Sequence, residues 1–150
     1  MRAVIQRVSY GSVTVENKKI GEINHGLVVL LGVDINDNQD DISWLANKIT
    51  NLRVFGDDKN LMNNSIINVN GDLMIISQFT LFAKTKKGNR PSYINAAKSP
   101  KANKYYNSFC EEIESILSKK VTRGVFGADM TLNIINEGPV TIYIDSRNKD

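Results

Sequence analysis

The run Leu27-Val28-Val29-Leu30-Leu31-Gly32-Val33 is apolar on both of the faces that a strand presents, and it constrains the fold more than any other segment. Successive side chains of a strand point to opposite sides, so such a run reads as a central strand of a sheet. Asp72-Leu73-Met74-Ile75-Ile76-Ser77 reads as another buried strand. The stretch from Ala3 to Val15 is rich in Val, Ile and Thr, and Ser12-Val13-Thr14-Val15 alternates as a half-buried strand does. Gly11 is expected to lie between two strands, and Glu16-Asn17-Lys18-Lys19 to form a hairpin turn. Leu132-Asn133-Ile134-Ile135 and Thr141-Ile142-Tyr143-Ile144 read as a final pair of strands, separated by Asn136-Glu137-Gly138-Pro139.

Two segments carry helical periodicity instead. Asp37 to Asp41 supplies caps and early acidic residues, and Ile42, Leu45, Ala46, Ile49 and Leu52 follow at helical spacing. A second amphipathic helix is expected from about Asn103 to Lys119. Its stripe is Tyr106, Phe109, Cys110, Ile113, Ile116 and Leu117, with lysines at its C-terminal end. Strands and helices do not alternate regularly. The expectation is an α+β fold: one domain over residues 1–150, with a mostly antiparallel or mixed, barrel-like sheet and two main helices. The polar tail from Ser146 to Asp150 is expected to fray.

The composition removes most of the usual chemistry. With one cysteine, Cys110, and one histidine, His25, there is no internal disulfide, no cysteine-based zinc site and no two-histidine metal motif. No metal or cofactor is expected. Cys110 falls in an apolar helical stripe and reads as a buried structural thiol. His25 would have to serve any Ser-His-Asp triad, yet Glu22-Ile23-Asn24-His25-Gly26 reads as a surface turn. Gly124-Val125-Phe126-Gly127 lacks the third glycine and the lysine of a phosphate loop, and Asp57-Asp58 belongs to an apparent turn. Met1 to Arg7 has no apolar signal core, and the run Leu27–Leu31 is too short to span a membrane, so a cytoplasmic location is expected. An enzyme built this way takes its reactive groups from its backbone or from its substrate.

Three segments stand out against that background. Ser77-Gln78-Phe79-Thr80-Leu81 switches from apolar to polar at a strand end, where binding groups are commonly displayed. Asn136-Glu137-Gly138-Pro139-Val140-Thr141 places glycine before proline, which relaxes steric limits and admits a cis bond at modest cost. A half-buried strand and a plain hairpin turn, respectively, also account for these two segments. The third is the basic loop Lys84-Thr85-Lys86-Lys87-Gly88-Asn89-Arg90-Pro91, followed by Lys98, Lys101 and Lys104. The net charge is only +3, but clustering beside a candidate site favours phosphate contact.

Taken together, Ser77-Gln78-Phe79-Thr80-Leu81 and Asn136-Glu137-Gly138-Pro139-Val140-Thr141 resemble the D-aminoacyl-tRNA deacylases, also called D-tyrosyl-tRNA deacylases. Ile5-Gln6-Arg7-Val8, Leu30-Leu31-Gly32-Val33, Lys87-Gly88-Asn89-Arg90-Pro91 and Phe126-Gly127-Ala128-Asp129-Met130 extend the resemblance over nearly the whole chain. It implies hydrolysis of the ester between a D-amino acid, or glycine mischarged on tRNA(Ala), and the terminal ribose of tRNA. It also implies a homodimer in which a Gly138-cisPro139 unit enters the partner's pocket and rejects L-amino acids by clash. Ser77, Gln78, Phe79 and Thr80 would form the catalytic segment, with the RNA 2′-hydroxyl activating or positioning water and Thr80 positioning rather than attacking. Ala97, Phe126 and Met130, with Phe79, would surround the terminal adenine, and Arg7 would brace the Gly-Pro loop. Lys84, Lys86, Lys87 and Arg90 would contact tRNA phosphates. The implied partners are the aminoacylated 3′ end of tRNA and a second copy of the chain, with neither membrane nor DNA. Two rival readings are a non-catalytic RNA-binding module and an editing domain of the threonyl-tRNA synthetase type that acts on L-amino acids.

Overall fold

The computed structural model describes residues 1–149. Strand β3 (Gly26–Gly32) lies between an antiparallel neighbour, β1 (Arg2–Val15), and a parallel one, β6 (Asp72–Ser77). Its alternation explains the double-faced apolarity. Leu27, Val29 and Leu31 join the larger core, with Ile42, Leu45 and Phe109 of the helices, whereas Val28 joins Val8, Val13, Ile23, Met74 and Ile76 in a smaller core. β6 divides in the same way, Leu73 and Ile75 to one side and Met74 and Ile76 to the other. Each such side chain contributes about 1.5–3 kcal/mol of burial, which fixes the register of both strands. At Gly26 the two strands come so close that a Cβ would stand 1.9 Å from the Asp72 carbonyl oxygen, so the position requires glycine.

The sheet order is completed by β2 (Lys18–Ile23) beside β1 and β7 (Thr122–Arg123) parallel to β6, while β8 (Thr131–Asp145) runs antiparallel along β1. The result is a mixed, nearly barrel-shaped sheet with two helices, as expected. Parallel neighbours need crossovers. The first carries helix α1 (Gln39–Asn51) and a small hairpin of β4 (Phe55–Gly56) with β5 (Met62–Asn64); the second carries helix α2 (Lys101–Leu117). Asn38 starts α1 through a capping box, accepting from the Asp40 and Asp41 amides while the Asp41 carboxylate accepts from the Asn38 amide at 3.0 Å. No helix among the described residues is long and apolar enough to cross a membrane.

Several expectations need correction. Residues 2–15 form one strand straight through Gly11, because Gly11 pairs with Ile23 on one side and Ile134 on the other. Asn136-Glu137-Gly138-Pro139 does not reverse the chain; it is a bulge within the single strand β8, both halves of which pair with β1. Helix α2 begins at Lys101 and ends at Leu117 with Ser118 in the left-handed conformation. Lys119 and Lys120 lie beyond its end and pair with the carboxylates of Asp72 and Glu114. The tail is tied down at its start: Ser146 is buried and takes part in hydrogen bonds with the Met1 ammonium at 2.6 Å and the Asp41 carboxylate at 2.6 Å. Asp150 lies outside the described residues.

Candidate functional site

Where β6 ends, the Gln78 amide donates one more ladder bond, to the Leu31 carbonyl at 2.7 Å, and the chain then tightens into a 3-10 turn over Phe79–Phe82. The turn's bonds run from the Leu81 amide to the Gln78 carbonyl and from the Ala83 amide to the Thr80 carbonyl. The Phe79 and Thr80 amides come first in the turn and have no carbonyl inside it to reach. The Gln78 side-chain amide donates to Thr80 Oγ1 at 2.5 Å, which holds the two side chains together.

Beside this strand end lies a cavity of about 400 Å³. Its lining includes Ser77, Gln78 and Phe79 from the strand end, Ala97 and Tyr106, and Phe126 and Met130. The structure thus gathers six of the residues singled out in the sequence from three separate segments. Thr80 is not among the lining residues and meets the site through Gln78. Tyr106 was read only as part of the α2 core stripe. It lines the cavity, stands 5.9 Å from Phe126 ring to ring, and donates its hydroxyl to the Ile75 carbonyl at 2.7 Å. A tyrosine rather than phenylalanine in that stripe was the available signal, because a buried hydroxyl needs an acceptor. Burial pushes the Tyr106 hydroxyl well above its ordinary pKa and the Cys110 thiol up to about 12. Both stay neutral near pH 7, and Cys110, fully buried in the larger core, is packed as a structural thiol. Asp129 is the one charged residue in the lining.

Phe79 is 56% exposed and meets Tyr93 edge to face at 5.0 Å. Tyr93 follows the basic loop, which is closed by paired backbone bonds between Lys84 and Ser92. Lys84, Lys86, Lys87 and Arg90 are all exposed there.

The second motif sits elsewhere. Between the pairs Val8–Asn136 and Gln6–Thr141, the four residues Glu137 to Val140 face Arg7 alone. Arg7 Nε donates to the Glu137 carbonyl at 3.2 Å and Nη1 to the Val54 carbonyl at 2.5 Å, and Nε lies 3.7 Å from the Glu137 carboxylate. Arg7 thus both braces the bulge and lies within ion-pair distance of its one carboxylate. Gly138 has φ +121, a Cβ there would come within 3.1 Å of Arg7 Nη2, and the Gly138–Pro139 peptide is cis. His25 occupies a surface turn as expected, but it pairs with the Glu137 carboxylate at 3.1 Å and meets Phe55 edge to face at 5.1 Å. No local pattern pointed to that contact.

None of residues 136–139 lines the cavity. Arg7 pairs with Leu27 of β3, whereas Ser77 pairs with Leu31. Four residues of strand amount to about 13 Å along the sheet. One chain therefore carries both motifs without joining them.

Comparison with known proteins supplies the context. The family model for D-Tyr-tRNA(Tyr) deacylase matches residues 4–145. A D-aminoacyl-tRNA deacylase of Flavobacterium psychrophilum is 53% identical over the full length of both chains, and one of Parabacteroides distasonis is likewise 53% identical over both full lengths. Among solved structures, one titled c-Myc DNA Unwinding Element Binding Protein superposes with a TM-score of 0.91 at 38% identity, covering 97% of this chain and 98% of that one. A probable eukaryotic D-amino acid tRNA deacylase shares the fold, with a TM-score of 0.83 at 16% identity over 95% of this chain and 97% of that one.

Proposed function

The chain belongs to the D-Tyr-tRNA(Tyr) deacylase family, and from that premise we propose that it hydrolyses D-aminoacyl-tRNA in the cavity at the end of β6. The observation that carries the reading is the gathering of Ser77, Gln78, Phe79, Ala97, Phe126 and Met130 around one cavity of about 400 Å³. Apolar and aromatic walls with a few polar groups at one edge suit a nucleoside base with a reactive ester beside it. The terminal adenine lies among Phe79, Ala97, Phe126 and Met130, which puts the ester at Ser77 and Gln78.

The reaction needs water to attack the ester carbonyl carbon, a proton to leave that water, and the ribose oxygen to depart with a proton. No side chain of the cavity is suited to act as general base, apart from the exposed carboxylate Asp129 at its rim. The neighbouring 2′-hydroxyl of the substrate activates or positions the water. The Phe79 and Thr80 amides, unused inside the turn, stabilise the oxyanion, at about 3 kcal/mol for a well-aimed donor. Thr80 positions Gln78 through their shared hydrogen bond. A reaction that borrows a 2′-hydroxyl has no use for DNA, and its substrate is made in the cytoplasm.

Chirality is set by the bulge. Gly138 and Pro139 are exposed and remote from their own cavity, which suits delivery into the cavity of a second copy in a homodimer. A backbone wall against the α-carbon excludes an L side chain and leaves room for hydrogen, so D-amino acids, and glycine mischarged on tRNA(Ala), pass. Lys84, Lys86, Lys87 and Arg90 hold the phosphates of the tRNA.

Incubation with D-tyrosyl-tRNA and L-tyrosyl-tRNA tests the proposal. Loss of the D ester alone supports it, whereas comparable loss of both removes chiral selection and points to an editing domain for L-amino acids. Stability of both esters leaves only an RNA-binding module.

A further inference from the structure

A second groove, of about 510 Å³, opens beside the first cavity and shares Ala97 with it. Ile35, Ala97, Lys98, Lys101, Lys104 and Tyr105 form most of its wall. Lys101 and Lys104 lie three apart at the start of α2, and Lys98 precedes the helix, before the cis Ser99–Pro100 bond. The Ala102 amide donates to the Lys98 carbonyl and the Lys104 amide to the Pro100 carbonyl, each at 3.0 Å, which ties this segment to the start of the helix. Residues three apart on a helix share a face, so Lys101 and Lys104 follow one side of the groove, and Lys98 joins its lining from the segment before the helix. Lys101 is committed to the structure: its Nζ donates to the Ile35 carbonyl at 2.7 Å and sits 5.0 Å from the Tyr105 ring centroid. Lys98 and Lys104 are exposed and have no carboxylate partner among the described residues. Asp34, the nearest acid to Ile35 in sequence, is 8% exposed and turned to Asn36. Ile35 is 52% exposed and gives the groove an apolar floor.

We propose that this groove is the track along which the RNA strand leaves the site, holding the phosphodiester backbone of the unpaired nucleotides next to the terminal adenosine. The proposal rests on reading the first cavity as the site of that adenosine. Continuity through Ala97 gives the direction of the strand, and two cations without a carboxylate partner among the described residues, in a lining that holds no acid, give its charge. A positive groove with apolar surface is the pattern that tracks single-stranded nucleic acid without reading its sequence. The basic loop at Lys84–Arg90 then serves other phosphates, on the Phe79 side of the cavity.

The test uses the double variant Lys98→Glu/Lys104→Glu of the full chain, two exposed changes whose folding is checked by an unaltered melting curve. The probes are uncharged tRNA, the same tRNA trimmed of its unpaired 3′ nucleotides, and the D-tyrosyl ester of adenosine. Wild type is expected to bind intact tRNA more tightly than trimmed tRNA. The variant loses about tenfold on intact tRNA, binds both forms alike, and shows a salt slope lower by about 1.4, at roughly 0.7 per single-strand phosphate contact. The proposal is overturned if the variant binds intact tRNA as wild type does, or still prefers it to trimmed tRNA. Hydrolysis of the adenosine ester, unchanged in the variant, reports on the first cavity alone. A protein that leaves this ester intact fails the cavity reading, while the tRNA titrations still decide the groove.

Discussion

Arg7→Ala is the substitution that most directly tests whether the bulge at residues 137–140 works as a rigid wall. Arg7 anchors the bulge to β1 through the Glu137 carbonyl and ties the same guanidinium to the Val54 carbonyl. Its side chain is 13% exposed, so both bonds form in partly desolvated surroundings. Hydrogen bonds from a charged donor contribute about 1.5–3 kcal/mol each, whereas the half-exposed Arg7–Glu137 ion pair adds at most about 1 kcal/mol. His25 still holds the Glu137 carboxylate in the variant, so part of the bulge's position survives. A net loss of about 3 kcal/mol is therefore expected, equivalent to a Tm about 6–12 °C lower for a domain of this size. If the bulge is the chiral wall, the same energy corresponds to about a hundredfold fall in the ratio of kcat/KM for D over L esters. The assay is single-turnover deacylation of D- and L-tyrosyl-tRNA well below the variant's Tm, with hydrogen exchange at residues 137–141 as an independent readout. Arg7→Lys should recover charge but little selectivity, because one ammonium cannot reproduce the planar fork that reaches two carbonyls. A variant that exchanges faster at the bulge yet discriminates as wild type does would refute the reasoning.

Two further outcomes are expected. Thr80→Ala should keep turnover within about tenfold of wild type, the worth of one neutral hydrogen bond to Gln78, because no adjacent base makes the hydroxyl a nucleophile; abolished turnover with folding and tRNA binding intact would assign it chemistry. The Lys119 ammonium at 2.6 Å, aided by the Asn24 amide, holds the Asp72 carboxyl below its ordinary pKa. A depressed carboxylate pKa stabilises the fold above the unfolded value and loses that stabilisation as pH falls through the folded one. Asp72→Asn should thus be less stable than wild type at pH 7, with the gap in urea midpoint narrowing as pH falls below about 4; a gap that does not narrow between pH 7 and pH 2 would count against the pair.

What could be read in advance follows the range of each interaction. The buried strands β3 and β6 declared themselves because alternate residues serve two cores, and α1 did so through its spacing and its cap at Asn38. The bulge was illegible for the opposite reason. Asn-Glu-Gly-Pro describes a turn equally well, and only the pairing of both its flanks with one strand, β1, decides that the chain continues. No residue of β8 through Asp145 is fully buried, so its inward set of Leu132, Ile134, Ile142 and Ile144 reads as two short strands. The site divides likewise. The segment Ser77–Thr80 was visible as a polar break after an apolar strand, but its meeting with Ala97, Phe126 and Met130 was reached only through family resemblance. Tyr106 was hidden in a helix stripe, and the His25–Glu137 pair joins a turn to a distant bulge with no local signature.

The separation of the two motifs gives the proposed chemistry its logic. If the 2′-hydroxyl supplies what a side-chain base would supply, the protein must accelerate the reaction chiefly by placement, since positioning alone is worth up to about 7–11 kcal/mol when the geometry is held tightly. A cavity at the end of β6 can fix the terminal nucleoside, but it says nothing about the hand of the amino acid. The rigid part that could judge that hand stands about 13 Å away along the sheet, anchored to Arg7 of β1 and to His25 just before β3. A two-fold pair resolves this, because an isologous contact lets each chain give its bulge and receive its partner's at once. On that reading a lone chain keeps the nucleoside cavity and the groove along α2 but has no chiral wall. Affinity for RNA and discrimination between D and L esters are then separable properties, one belonging to the fold of the single chain and the other to its assembly.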